Sequence, residues 1–277
     1  MKRLRTLTGW AVSLCAAVFF LLPLIWMLHA SFRPEARIFT GGLRGLLDLS
    51  DLHLQNYAAA WRRARMGSAM LMSLLQVAGI AGIGLVVNTL AAYAFARMNF
   101  RGRDTLFVLV VAMIILPVEV LAVPLFLTAR DLNLTGGFLP TLGALVLPFA
   151  AKAFNIYFLR QHFLSLPATL EEAARVDGAN HFHIYLHIAL PAIRPALATV
   201  IILDLLTHWS DFIWPLIVCT RENTRTVQIG LANLFTEPPI QWGHILAAAV
   251  IATLPVVLIF RLAQKHILAT HTQSGIK

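Results

Sequence analysis

Charged residues are scarce in this sequence of 277 residues, because Asp, Glu, Lys and Arg together make up only 13%. An average soluble protein has about 25%. The apolar residues reach 58%, so the composition excludes both a disordered chain and an ordinary soluble fold. Two cysteines are too few for a disulfide scaffold, and 16 glycines without a triplet period exclude collagen. An integral membrane protein is the class that remains.

Motifs for phosphate binding and catalysis are also missing from the sequence. No glycine-rich loop ends in Gly-Lys-Ser or Gly-Lys-Thr, and neither a nucleophile elbow nor a zinc-protease helix is present. His181, His183 and His187 lie close together, but no cysteine or paired carboxylate completes a metal site. We therefore predict no catalytic residue, no metal site and no cofactor bound by this chain. The net charge of +9 fits basic loops that face membrane lipid, so we expect no nucleic-acid partner.

Six hydrophobic runs are long enough to cross a membrane, because a bilayer core of about 30 Å needs about 20 residues of apolar helix. The first run is longer than a typical signal-peptide core, so we interpret it as an uncleaved span. Pro117, Pro124 and Pro148 predict kinks in the third and fourth runs. We predict an all-α integral membrane protein, a single transmembrane domain over 1–277, with spans near 10–28, 68–96, 105–128, 139–159, 195–219 and 242–262.

The distribution of Lys and Arg predicts the orientation, because cytoplasmic segments of membrane proteins carry an excess of both. Lys2, Arg3 and Arg5 precede the first span and place the N-terminus in the cytoplasm. Six spans then place the C-terminus in the cytoplasm as well. The segment between the fourth and fifth spans is also cytoplasmic. The arginine-rich outer segment 31–66 runs against this bias.

The inner segment 164–191 has the signals of two short helices joined by a turn. Pro167 suits the first turn of a helix, and Gly178 can adopt the left-handed conformation that ends one. A second short helix is predicted from about Ala179 to His187, ending before Pro191 because proline restricts the residue that precedes it. Ala173 and Ala174 are small enough for a partner to approach closely. The segment is therefore predicted to be a cytoplasmic helix-turn-helix that docks on a soluble partner.

The same segment resembles the signature of binding-protein-dependent ATP-binding-cassette importer permeases, known as the EAA loop. Glu172-Ala173-Ala174 is followed after three residues by Gly178, and after nine more by Ile188-Ala189-Leu190-Pro191. The runs 91–97, 100–103, 158–161, 209–216 and 275–277 are similar to the carbohydrate branch, of the maltose-permease second-subunit type. The resemblance implies an ATPase-coupling loop formed by Glu171, Glu172, Ala173, Ala174, Asp177, Gly178, Ile188, Leu190 and Pro191.

The resemblance also implies a function and partners. The chain would be the permease subunit of an ATP-driven importer for a sugar or oligosaccharide, working by alternating access in a bacterial or archaeal inner membrane. Its partners would be a second permease subunit in a heterodimer, two ATPase subunits that hold ATP and Mg, and an extracytoplasmic solute-binding protein. Leu116-Pro-Val-Glu-Val120 also suits importers of glycerol-phosphate-type solutes. A third alternative is an ion-coupled secondary transporter.

Polar residues in the fifth span form a stripe at helical spacing: Asp204, Thr207, His208 and Asp211. Carboxylates are costly inside a membrane, so the stripe is predicted to line the translocation pathway. Trp209 and Trp214 could stack on a sugar ring, and Glu119 and Lys152 are further pathway candidates. The alternative is that the stripe hydrogen-bonds to a partner permease and that Trp214 belongs to an interfacial aromatic belt.

Overall fold

The computed structural model describes the backbone of residues 2–40 and 52–273 and the side chains of residues 8–40 and 52–261. Every regular element in these ranges is helical. Single 3-10 turns at Glu35–Arg37, Met113–Ile115, Leu147–Phe149 and Glu222–Thr224 connect some of them. The helices are α1 (Lys2–Ala30), α2 (Gln55–Arg63), α3 (Met66–Arg97), α4 (Arg103–Ala112), α5 (Val118–Asp131), α6 (Phe138–Val146), α7 (Ala153–Ser165), α8 (Ala168–Val176), α9 (His181–Ala192), α10 (Arg194–Trp209), α11 (Ile213–Val218), α12 (Val227–Asn233) and α13 (Trp242–Gln273).

Three of the predicted spans are continuous apolar helices, Thr8–Ala30, Met66–Arg97 and Trp242–Arg261. The third and fourth predicted spans, 105–128 and 139–159, are helix pairs bent by 104° and 51°. At the sharper bend Pro117 is extended, with φ −68° and ψ 136°, and its ring cannot donate to the helical ladder. The described residues thus contain three clear spans, and six if each bent pair counts as one.

The prediction of one continuous helix over 195–219 is wrong. Helix α10 ends at Trp209, and the three residues Ser210, Asp211 and Phe212 separate it from the short α11. The Asp211 carboxylate accepts hydrogen bonds from the backbone N–H groups of Phe212 and Trp214, so it competes with continuation of the helix. The apolar helix bent against α10 is instead α9, at 76°, which lies in the predicted inner segment.

The chain divides into two compact units, Met1–Gly67 with Gly230–Pro255 and Ser68–Ile229 with Val256–Lys277. The single transmembrane domain over 1–277 stays a prediction. The first unit contains α1, α2 and the start of α13. Within α1, an 18-residue apolar stretch of Thr8–Ala30 has none of its residues buried, as expected for a helix facing lipid.

Side-chain hydrogen bonds order the described part of the segment 31–66, which was predicted only as an outer loop. Asn56 Nδ2 on α2 donates to the backbone oxygens of Ser31 and Arg33, both at 2.9 Å. The two carboxylate oxygens of Glu35 accept from the backbone N–H groups of Trp242 and Gly243, at 3.0 and 3.1 Å. Glu35 therefore satisfies donors that the first turn of α13 leaves unpaired.

The second unit has two apolar clusters on α3. The first joins the middle of α3 to α6, α11 and α12 through Met72, Ile80, Leu145, Trp214 and Ile229. A Cβ added at Gly79 would lie 2.9 Å from Val146 Cγ2, so glycine is what lets α3 and α6 approach this closely. The second cluster joins the end of α3 to α7, α9 and α10 through Ala92, Tyr93, Leu159, Phe163, Tyr185, Ala189 and Val200.

Candidate functional site

The inner segment forms a helix-turn-helix, with α8 and α9 joined at Gly178. The backbone of Gly178 has φ +83°, a left-handed conformation that other residues adopt at a cost. Asn180 caps α9, because its Oδ1 accepts from the backbone N–H of His183 at 2.8 Å. Helix α9 contains a π-helical turn at Tyr185–Ala189. The sequence signals therefore predicted both helices and the turn, but the predicted end of the second helix before Pro191 is wrong, because α9 continues through Pro191 to Ala192.

The nine predicted coupling residues differ in exposure. Glu171 and Ala174 are buried, and the Glu171 carboxylate forms an ion pair with Arg97 Nε at 3.0 Å. Glu172, Ala173, Asp177 and Gly178 are exposed, whereas Ile188, Leu190 and Pro191 are half-buried. The exposed residues are free to contact a partner, but the coupling role of all nine stays a prediction. A cavity of about 430 Å³ opens beside the turn and is lined by Ala174, Asp177, Gly178, Ala179, Asn180, His183 and Ile188.

The fifth-span stripe is divided by the structure into two environments. Asp204 is 3% exposed and carries two partners, Lys152 Nζ on Oδ1 at 2.7 Å and Asn155 Nδ2 on Oδ2 at 2.8 Å. His208, one turn further along α10, is buried with its ring centroid 4.9 Å from that of Phe149. Thr207 bonds back to the Leu203 carbonyl of its own helix.

Asn88 of α3 holds the backbone next to Lys152, the partner of Asp204, at the break between α6 and α7. Its Oδ1 accepts from the backbone N–H of Lys152 at 2.9 Å, and its Nδ2 donates to the Ala150 oxygen at 3.3 Å. The sequence showed Lys152 as an isolated charge and gave no role to Asn88 or Asn155. The sequence could have indicated Asn88, because an asparagine within an apolar run is expected to be buried, and a buried amide needs hydrogen-bond partners.

Asp211 and Glu119 line a second cavity, of about 280 Å³, at the start of α5 and the α10–α11 connection. Its other lining residues are Val118, Ala122, Ser210, Phe212, Ile213 and Trp214. Phe212 is an exposed aromatic that the sequence did not single out. The two carboxylates are the only charged side chains among the described residues of the lining. The cavity can therefore accept hydrogen bonds from hydroxyl groups, while it repels anions.

Trp209 and Trp214 are interior residues in this structure. They are 2% and 3% exposed, and Trp214 Nε1 donates to the Ala144 oxygen at 3.1 Å. Stacking of either ring on a solute stays a prediction. The three histidines of α9 do not converge on a metal site, because within the described residues no three His, Cys, Asp or Glu side chains are placed to hold a metal ion.

These features define a helical, multi-pass membrane protein whose broken spans surround polar groups and whose inner segment carries a helix-turn-helix. The chain belongs to the family described as the binding-protein-dependent transport system inner membrane component, which it matches over residues 84–269. It is therefore a transport permease of an inner membrane. This confirms the family resemblance that the EAA-like signature indicated.

Relatives with assigned transport roles align over nearly the whole chain. An arabinooligosaccharide transport permease of Halalkalibacterium halodurans is 33% identical, with 97% of this chain and 94% of the relative covered. A trehalose/maltose transport permease of Thermococcus litoralis is 31% identical, with 100% and 98% covered. The crystal structure of a bacterial importer of the acidic polysaccharide alginate has a chain with a TM-score of 0.81 and 22% identity, covering 95% of this chain and 96% of that one. That likeness shows the permease fold.

Proposed function

We propose that this protein is the permease subunit of an ATP-driven, binding-protein-dependent importer of a sugar or oligosaccharide. The family match over residues 84–269 carries the proposal, because it includes the whole helix-turn-helix. Relatives named for arabinooligosaccharides, diacetylchitobiose and trehalose/maltose support a carbohydrate solute. The partners are a second permease subunit, two ATPase subunits and an extracytoplasmic solute-binding protein.

In this proposal the chain supplies the pathway and the docking surface, while the ATPase subunits bind ATP and Mg. The exposed side of the turn, with Glu172, Ala173, Asp177 and Gly178, contacts an ATPase subunit on the cytoplasmic side. Closure of the ATPase dimer moves α8 and α9, and the spans then alternate between inward-open and outward-open arrangements. Binding energy released in one subunit thereby changes access to the solute in another.

Co-purification tests this function. The chain should be tagged and purified in mild detergent from membranes of cells that express its own operon partners. We expect two ATP-binding-cassette subunits and a second permease in the purified complex. Purification of the chain alone, together with solute uptake driven by an ion gradient in the absence of ATP, would show the secondary transporter instead.

The carboxylate cavity favours a neutral saccharide over a glycerol-phosphate-type solute. Glu119 and Asp211 can accept hydrogen bonds from neighbouring hydroxyl groups, and the Phe212 ring offers an apolar face to the carbons of a sugar. A phosphate would meet two negative charges, with no positive side chain among the described residues that line the cavity. The alternative solute class is therefore disfavoured.

Transport assays with paired substitutions test the solute class. Glu119→Gln with Asp211→Asn removes both charges, and we expect neutral oligosaccharide uptake to fall roughly tenfold or more, since each hydrogen bond to a charged group contributes about 1.5–3 kcal/mol. Asp131→Asn, at the exposed end of α5, is the matched control and should transport normally. Parental uptake by the double variant, or uptake of glycerol 3-phosphate by the parent, would contradict the neutral solute.

A further inference from the structure

Three residues near the end of α3 form one stripe that faces the helix-turn-helix. Thr89, Tyr93 and Arg97 are spaced four residues apart, so they lie on the same side of the helix. Thr89 Oγ1 lies 2.8 Å from the hydroxyl of Tyr185 in α9. The Tyr93 ring lies 5.3 Å from the Tyr185 ring, centroid to centroid. Thr89 and Tyr93 thus hold α9 against α3.

Arg97 makes the corresponding contact with α8. Its Nε lies 3.0 Å from Glu171 Oε1, in an ion pair whose side chains are only 13% and 6% exposed. The same guanidinium donates to the backbone oxygens of Phe163 and Leu166, at 2.7 and 2.6 Å. The Phe163 oxygen lies in the last turn of α7 and also accepts from the backbone N–H of Leu166 at 3.3 Å, and the Leu166 oxygen lies just beyond the helix. One buried charge therefore joins α3, α7 and α8.

The geometry of arginine suits this position. Its planar group presents several donors in a fixed arrangement, so Nη2 donates to both carbonyls while Nε lies within ion-pair distance of the Glu171 carboxylate. A lysine at this position would keep the positive charge, but its ammonium group would not offer N–H donors in the same fixed directions. Glu171 has a second, weaker partner in Arg175, one turn along α8 at 3.8 Å. Arg97 is consequently the nearer of the two charged partners of Glu171, and it joins α8 to α3.

We infer that Arg97 is a positioning residue that transmits movement of α8 and α9 to the spans α3 and α7. The inference rests on the proposed function, in which the ATPase subunits move this helix-turn-helix. Glu172 and Ala173 are exposed on α8, so we expect the ATPase subunits still to bind when Arg97 is changed. Without this ion pair, however, α8 can move with the ATPase subunits while α3 and α7 do not move. ATP would then be hydrolysed without transport.

The test uses the complete importer, reconstituted in liposomes with the binding protein, and measures solute molecules transported per ATP hydrolysed. The variants are Arg97→Gln, Glu171→Gln, the double variant and Arg97→Lys. Arg103→Gln is the matched control, because Arg103 begins α4 shortly after the end of α3 and pairs only locally, with Asn99 and Asp104, among the described contacts. Purified complexes are compared at equal content of ATPase subunits. Misfolded chains that fail to assemble then do not affect the measured ratio of solute transported to ATP hydrolysed.

We expect Arg97→Gln to lower the ratio at least about fivefold with ATP hydrolysis retained, and Glu171→Gln to lower the ratio to a similar extent. The double variant should be no worse than the more severe single one, since both remove the same interaction. Arg97→Lys should recover part of the ratio, and Arg103→Gln should match the parent. If Arg97→Gln fails to assemble, Glu171→Gln and the lysine variant decide the question.

Two other results have distinct meanings. Parental ratios in Arg97→Gln and Glu171→Gln, in an importer that otherwise couples ATP to uptake, would overturn the inference and leave the proposed function standing. A parent complex that transports without ATP would overturn the proposed function, and the inference with it.

Discussion

At the scale of single residues, the main finding is that the buried charge of Asp204 is compensated. A carboxylate that is 3% exposed would be costly in an apolar environment, but Lys152 neutralises it and Asn155 occupies its second oxygen. Sequence reasoning identified Asp204 and Lys152 as functional candidates without linking them, because they are 52 positions apart. Only tertiary structure brings such residues together. The pairing gives Asp204 a structural role, and its contact with a solute stays a prediction.

Breaking this ion pair should destabilise the protein more than removing both charges. Asp204→Asn leaves the Lys152 ammonium without its carboxylate, and we expect a loss of about 3–5 kcal/mol in the free energy of unfolding. Lys152→Gln with Asp204→Asn should recover most of it. Asp104→Asn, in an exposed pair with Arg103, should cost about 0–1 kcal/mol. Thermal unfolding of the detergent-solubilised chain measures all three.

A different outcome would assign Asp204 to the pathway. If Asp204→Asn unfolds at the parental temperature yet loses transport, the charge acts on the solute and the structural account of this pair is wrong.

At the scale of helices, hydropathy predicted the elements that depend on local sequence. The continuous spans α1, α3 and α13 were found from their apolar runs, and the turn at Gly178 from residue type. The prediction of one helix over 195–219 was wrong, because the apolar side chains of this run conceal the interruption at Ser210, Asp211 and Phe212. The ordering of the outer segment by Glu35 and Asn56 was not predictable, since their partners are backbone groups set by tertiary packing.

Substitution of Gly178 tests whether the turn of the helix-turn-helix is needed for coupling, or whether backbone strain anywhere in the protein has the same effect. A Cβ at Gly178 would meet nothing within 4 Å, so Gly178→Val acts through its φ of +83° alone, at a cost of about 1–2 kcal/mol. Gly102 has φ +81° and equally open surroundings, so Gly102→Val imposes the same strain outside the turn. We expect only Gly178→Val to lose binding-protein-stimulated ATP hydrolysis. Gly178→Asn should be milder, because Asn tolerates the left-handed conformation.

The ATPase assay is performed on reconstituted complexes, with retained ATPase subunits measured in parallel. Equal loss in both valine variants would mean that strain, and not the position in the turn, is responsible. Equal activity in both would remove the turn from the coupling mechanism.

At the scale of the whole molecule, the family match and the apolar helices define an inner-membrane permease, whereas the cytoplasmic location of both its ends stays a prediction from the distribution of Lys and Arg. Cysteine labelling tests that orientation. Ser165 ends α7 and is exposed, so Ser165→Cys should react with an impermeant thiol reagent only after the cells are opened. Thr40→Cys, exposed in the outer segment, should react in intact cells. The parent with Cys15 replaced by serine is the background for both. The reverse pattern would invert the topology and place α8 and α9 away from the ATPase.

Solute uptake into liposomes tests the central claim most directly. The complete complex is reconstituted with ATP enclosed and the binding protein and a radiolabelled neutral oligosaccharide outside. We predict accumulation that requires both enclosed ATP and the binding protein, and that persists when ion gradients are collapsed. Accumulation that continues without ATP and stops with the ion gradient would contradict the account.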